Sequence, residues 1–240
     1  MIGAALLDLL LPRACVSCDG AMQDGIVCDI CFSRLSRLPE PICGRCGQPC
    51  TESPCAYCPA LPAFVRAARS VCWIPEPVGS AAVHALKYEG WTAVAEGMAE
   101  RMSRLHWPRD VVEERTAVVP VPLAPTRLRE RGYNQAALLA GALARRWGIP
   151  HWDDLLVRTR HTPTQTRLTP SERFTNVQHA FRVNDSAPLW QARLVGAHLI
   201  IVDDVLTTGS TLNAAAGALF DAGARVVSYV TFGRARSAAN

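Results

Sequence analysis

Residues Leu199–Thr211 read LIIVDDVLTTGST. Four apolar residues lead into two adjacent carboxylates. A turn rich in Thr, Gly and Ser follows, and then a small-residue run, Ser210–Ala222, that stops at Gly223. Leu199–Val205 has the continuous apolar pattern of a strand buried on both faces of a parallel sheet. The run after it reads as a helix. A helix N-terminus presents unpaired N–H groups and the positive end of a dipole, which suits a phosphate. Gly209 lets the backbone approach such a group closely, and Thr207, Thr208, Ser210 and Thr211 add hydroxyls. Asp203 and Asp204 would repel a bare phosphate. They fit a ligand that also offers sugar hydroxyls as donors, or a magnesium ion. A buried Asp beside an N-capping Thr would explain one residue of this run and not the rest.

Working outward, further strands are expected at Arg69–Ile74, Ala117–Val121, Leu155–Thr159 and Arg225–Phe232. Helices are expected at Gly79–Tyr88, Thr92–Leu105 and Asn134–Trp147. This alternation predicts an α/β domain with a doubly wound, mainly parallel sheet. Ligands of such sheets lie beyond the carboxyl ends of the strands, where the loops after Val121 and Val202 fall. Val119–Gln135, VPVPLAPTRLRERGYNQ, is a proline-stiffened loop in which Arg127 and Arg131, four residues apart, can share one face. Arg158–Phe181, RTRHTPTQTRLTPSERFTNVQHAF, is too polar for a core and reads as a mobile hood.

Nine of the ten cysteines lie between Cys15 and Cys58, as the pairs Cys15/Cys18, Cys28/Cys31, Cys43/Cys46 and Cys55/Cys58 plus Cys50. A C-x-x-C knuckle aims two thiolates at one tetrahedral metal, and two knuckles close a structural zinc site. Two zinc ions are expected, with Gly44 and Gly47 supplying tight turns at the third knuckle. The spacings fit zinc ribbons better than an iron–sulfur cluster, and a disulfide framework would need an oxidising compartment. Sequential and interleaved pairing of the knuckles are both allowed. Cys50 could substitute for a neighbour in the second site, and Cys72, in an apolar run, reads as a buried core thiol. Pro59, Leu61 and Pro62 mark a linker, which divides the chain into a cysteine module, 1–62, and the α/β domain, 63–240.

The net charge of +4 is unevenly spread: residues 125–182 hold ten Arg against four acids, while residues 1–60 hold four Arg against six acids. The Arg-rich stretch suits phosphate oxygens, which the guanidinium fork binds bidentately. Two four-thiolate sites would make the cysteine module more negative still, which disfavours nucleic-acid binding by that module alone. The only lysine, Lys87, reads as an ordinary surface residue, and no histidine has ligand or triad spacing. Ile2–Leu11 reads as a short docking helix stopped by Pro12. It is too short to cross a bilayer, and no membrane insertion is expected; the expected location is cytoplasmic.

The run LIIVDDVLTTGST closely resembles the phosphoribosyl diphosphate (PRPP) motif of type I phosphoribosyltransferases. Together with VPVPLAPTRLRERGYNQ, the hood, HALKYEG at His84–Gly90 and the preceding cysteine module, it resembles the ComF family of competence-associated proteins. The resemblance implies a phosphoribosyltransferase type I fold behind a small zinc-ribbon module. It implies that Asp203 and Asp204 hold the ribose hydroxyls, that Val205 and Thr207–Thr211 cradle the 5′-phosphate, and that magnesium accompanies PRPP. By the same analogy Arg127 and Arg131 bind the diphosphate leaving group, while Arg158, Thr164, Gln165 and Arg173 of the hood close over it. Handling of incoming single-stranded DNA follows from the resemblance, with a competence helicase or another DNA-processing protein as candidate partner. The alternative is a metabolic phosphoribosyltransferase acting on a nucleobase or amine. A glutamine amidophosphoribosyltransferase is rejected, because Ile2 follows Met1 where that enzyme has its Cys nucleophile.

Overall fold

The computed structural model describes residues 14–22, 25–159, 180–184 and 188–236. The expected helix Ile2–Leu11 lies outside them, as do Thr164, Gln165 and Arg173. The central sheet has four parallel strands in the order β1 (Val65–Ile74), β6 (Val226–Ala235), β5 (His198–Leu206), β2 (Arg115–Pro120). Successive side chains of a strand face opposite sides. In β5, Ile200 and Val202 join one core with α2 (Pro77–Tyr88), α3 (Val94–Ser103) and α6 (Gln135–Trp147). Leu199 and Ile201 join a second core with Trp152, Leu155 and α8 (Ser210–Asp221). Helices thus cover both faces, as the apolar run demanded.

The sequence pattern misplaces one strand. Leu156–Arg158 (β3) does not enter the main sheet but pairs antiparallel with Phe181–Val183 (β4), so the two ends of the expected hood form a small hairpin base. Three short helices escape the periodicity: α4 (Arg109–Glu114), α5 (Pro125–Arg131) and α7 (Pro188–Leu194). The segment read as a stiff loop therefore becomes helix α5. Pro125 starts it, and Gly132, left-handed at φ 81°, ends it by donating to Leu128 O.

The cysteine module carries the short α-helix α1 (Asp29–Ser33) and clamps the β1 edge. Phe32 inserts into the first core, under the Arg101 guanidinium at 4.0 Å. Trp73 N–H donates to Ser36 O (2.9 Å) and Ala68 N–H to Arg45 O (2.8 Å). Arg45 donates to the carbonyls of Cys58, Leu61, Pro62 and Val65. From the sheet side, buried Arg69 reaches Gly44 O (2.9 Å) and buried Arg234 reaches Cys46 O (2.7 Å).

His198, 1% exposed at the start of β5, lies 2.9 Å from Ser228 Oγ. Burial pulls its pKa down to about 4, with the Arg225 charge adding to the effect. The folded chain thus binds this proton later than the unfolded one. Stability is complete above pH 6.5 and falls as pH drops toward 4, by about 3 kcal/mol in all. Urea unfolding across pH 4–7 should show His198→Gln with a flatter acid limb; an unchanged slope would assign the acid lability elsewhere.

Candidate functional site

Strand β5 runs on through both acids to Leu206, with Asp203 opposite Thr231 of β6 and Val205 opposite Gly233. Strand alternation sends the two carboxylates to opposite faces of the sheet. Asp204, only 3% exposed, faces the α2/α6 side. There it forms an ion pair with Lys87 and accepts from Gln135 Nε2 at 3.2 Å. Gln135 Oε1 in turn accepts from Arg131. Asp203 faces the other side, within the electrostatic reach of Arg158 on β3. Burial and then the Asp204 charge raise the Asp203 pKa well above the usual carboxylate range. Burial is the largest influence on Asp204 too and pushes it upward, but the Lys87 charge together with hydrogen bonds from Asp203, Lys87 and Gln135 draws its pKa below the ordinary value. Asp204 is therefore the first of the pair to ionise.

The loop that follows turns at Gly209, left-handed at φ 81°, and starts α8 with no side-chain cap. Its hydroxyls are gathered: Thr208 Oγ1 lies 2.9 Å from Ser210 Oγ and accepts from Ser210 N–H at 3.4 Å. Val205 thus lies at the end of β5 beside the acids, Thr207–Gly209 make the turn, and Ser210 and Thr211 open α8. On the other side, Asn134 caps α6 by accepting from Ala136 N–H (3.1 Å) and donates to Val121 O (3.0 Å), which fixes the loop after β2. Tyr133 OH donates to Leu86 O and ties α2 to the same place. Lys87, Arg127, Arg131, Glu130, Tyr88 and Tyr133 line a cleft of about 450 Å³. Arg131 sits 5.6 Å from the Tyr88 ring centre.

The structure brings Asp203 and Asp204 at the end of β5, the Thr207–Thr211 turn after it, and Arg127, Arg131 and Arg158 to the carboxyl edge of the sheet. Lys87 is a correction to the sequence reading: it is not an ordinary surface residue but the counter-charge of Asp204. Its being the only lysine among 25 basic residues was the available signal. Gln135 carried no signal, since a glutamine opening a helix is unremarkable.

The thiols sort sequentially. Cys15, Cys18, Cys28 and Cys31 form one group and Cys43, Cys46, Cys55 and Cys58 another, with sulfurs within 4.8 Å of one another in each. Contacts of 3.5 Å (Cys43–Cys58), 3.6 Å (Cys46–Cys55) and 3.9 Å (Cys18–Cys28) match the roughly 3.8 Å between sulfurs of a tetrahedral zinc site with 2.3 Å bonds. Both groups fit structural zinc. Cys50 stands outside them and donates to Glu52 O at 3.0 Å. Cys72 is fully buried, its thiol pushed up to about 12 chiefly by burial. Of the two knuckle glycines, only Gly47 has a positive φ, at 69°; Gly44 meets no special demand.

Among the described residues no helix is long and apolar enough to cross a membrane. Residues 6–62 match the double zinc ribbon domain and residues 134–239 the phosphoribosyl transferase domain. Among characterised relatives, the DNA utilization protein YhgH of Escherichia coli K12 is 33% identical over 227 residues, covering 91% of this chain and 96% of that protein. Competence protein F of Haemophilus influenzae is 43% identical over 97 residues, 40% of this chain and 41% of that protein. Competence protein ComFC of Bacillus subtilis is 28% identical and covers 83% of this chain and 80% of that protein. The fold is therefore that of the type I phosphoribosyltransferases, α/β with a mainly parallel sheet, behind an N-terminal double zinc ribbon, and the chain belongs to the ComF family.

Proposed function

We propose that the protein binds PRPP with magnesium at the edge of β5 and uses this site in the handling of incoming single-stranded DNA, with phosphoribosyl transfer as its chemistry. The carrying observation is the placing of two acids, an uncapped helix N-terminus and a cationic cleft around one strand end. Each part suits one part of PRPP. The acids accept from ribose hydroxyls, the Thr207–Thr211 loop donates to the 5′-phosphate, and Arg127 and Arg131 face the diphosphate. Magnesium, when bound, would neutralise the diphosphate oxygens, with Asp203 and Asp204 as the neighbouring carboxylates. In transfer, the C1–diphosphate bond breaks as an acceptor attacks C1. The cleft cations stabilise the charge gathering on the leaving group, and no protein nucleophile is required. The role in DNA handling is supported by the names of the relatives and by the basic excess of residues 125–182.

Calorimetric titration with PRPP and magnesium tests the site. Asp203→Asn/Asp204→Asn is expected to weaken PRPP binding at least ~100-fold, since two charge-assisted hydrogen bonds of about 1.5–3 kcal/mol each are lost, with two zinc ions per chain retained. Unchanged binding would move the site elsewhere. For the DNA role, Arg127→Ala/Arg131→Ala should weaken single-stranded DNA binding and reduce the salt slope by about 1.4. Diphosphate release from PRPP in the presence of an acceptor tests transfer.

A further inference from the structure

The geometry points to Lys87 as a coupling residue that exchanges Asp204 for a diphosphate, so that the ribose and diphosphate halves of the ligand open the site for each other. This rests on the PRPP reading and names how that site would select its ligand. The observation is that Asp204 is already occupied. Lys87 holds one carboxylate oxygen and Gln135 Nε2 the other. The oxygen that faces Lys87 is fully buried, so a ribose hydroxyl has no way to it as the side chains stand.

Both groups that hold Asp204 lead into the cationic cleft. Lys87 lines it directly, with its side chain still 22% exposed. Gln135 is held on its other end by Arg131, which also lines the cleft. An anion with several oxygens entering beside Arg127, Arg131 and Lys87 competes with Asp204 for the ammonium, and with Gln135 for Arg131. A diphosphate has the charge to win that competition, because it offers strong acceptors to all three cations at once. Once the ammonium turns toward it, Asp204 has an oxygen to offer, and an adjacent ribose supplies the hydroxyl. Conversely, a hydroxyl on Asp204 releases Lys87 to the cleft. The coupling is reciprocal, as any linkage between two ligands of one site must be. Asp203 lies on the opposite strand face, its Oδ1 accepting from the Asp204 N–H at 2.8 Å, and Lys87 is paired with Asp204 rather than with it. A sugar phosphate without diphosphate therefore meets only half an acidic pair, which would separate PRPP from ribose 5-phosphate.

The test uses the full zinc-loaded chain and calorimetric titration with PRPP, ribose 5-phosphate and inorganic diphosphate, at fixed magnesium. Lys87→Met is expected to bind ribose 5-phosphate roughly tenfold more tightly than the natural chain and inorganic diphosphate more weakly. Lys87→Arg should keep the natural order. A purely structural lysine would weaken both ligands on removal, and that result, or an unchanged ribose 5-phosphate affinity, overturns the proposal. If Lys87→Met does not fold, the natural chain still decides: its affinity for ribose 5-phosphate must rise as inorganic diphosphate is added, and a flat or falling affinity overturns it. Absence of PRPP binding by the natural chain sinks the site itself. PRPP binding without the coupling sinks only the role of Lys87.

Discussion

Cys46→Ser should remove one of two zinc ions and lower the thermal midpoint by about 10–20 °C. The reason lies in the charges of the interface. Arg69 and Arg234 are 5% and 3% exposed. Their guanidinium groups donate to backbone carbonyls (Arg69 to His106 O at 2.7 Å, Arg234 to Cys46 O at 2.7 Å) and, for Arg234, to Ser70 Oγ. Among the described residues, neither forms an ion pair with a carboxylate. Burial lowers the pKa of both, Arg234 to about 10, and the next influence is the negative charge of second-ribbon thiolates, Cys43 and then Cys46 for Arg69 and Cys46 for Arg234. Four thiolates around one Zn²⁺ leave a net charge of −2, which balances these two buried cations. Losing it strands them in a low-dielectric interface, a cost of about 3–5 kcal/mol, in addition to loss of the metal's own contribution to folding. Zinc counted per chain by mass spectrometry and a calorimetric midpoint give the answer. One zinc with an unchanged midpoint would show that the arginines find their balance elsewhere.

Gly47→Ala is expected to cost about 3–5 kcal/mol through a different cause. At φ 69° the backbone is left-handed, and an added Cβ would stand 2.2 Å from Ala68 O and 3.2 Å from Ala68 C. Both are backbone atoms of β1, held in turn by the Ala68 N–H bond to Arg45 O (2.8 Å). No rotamer can relieve that overlap, so the ribbon must lift from the strand. Gly44→Ala is the control. Nothing lies within 4 Å of its added Cβ, and its unfolding free energy in urea should stay within about 0.5 kcal/mol of the natural chain. Equal loss in both variants would mean that the knuckle, not the contact with β1, sets the cost.

What the sequence made legible was what depends on neighbours in the chain. The apolar run, the paired acids and the Thr–Gly–Ser turn are consecutive, so their strand–loop–helix geometry could be read from Leu199–Thr211 alone. The four C-x-x-C knuckles were equally local, while their sequential sorting was not, because it depends on how two hairpins fold over each other. Lys87 and Gln135 meet Asp204 from two different helices, with Arg131 behind Gln135 on a third, and no periodicity reports a meeting between residues 87, 135 and 204. Helix α5 hid behind its prolines: Pro125 looked like a loop marker, yet at the first helical position its missing N–H costs nothing. Strand β3 was recognised, but three residues do not reveal which sheet they join.

The four-stranded sheet has two open margins, and each is covered by chain that is not itself a sheet strand. On β2, Val118 N–H donates to Pro150 O and Trp152 N–H to Val118 O, both at 2.9 Å. On β1, the cover comes from the cysteine module, through Ser36, the Arg37–Cys72 bridge and Arg45. Strand margins with unpaired N–H and C=O groups recruit further strands from other molecules. A chain deprived of zinc is therefore expected to loosen its cover at Ala68, Cys72 and Trp73 and to expose this margin of β1 to pairing with other molecules.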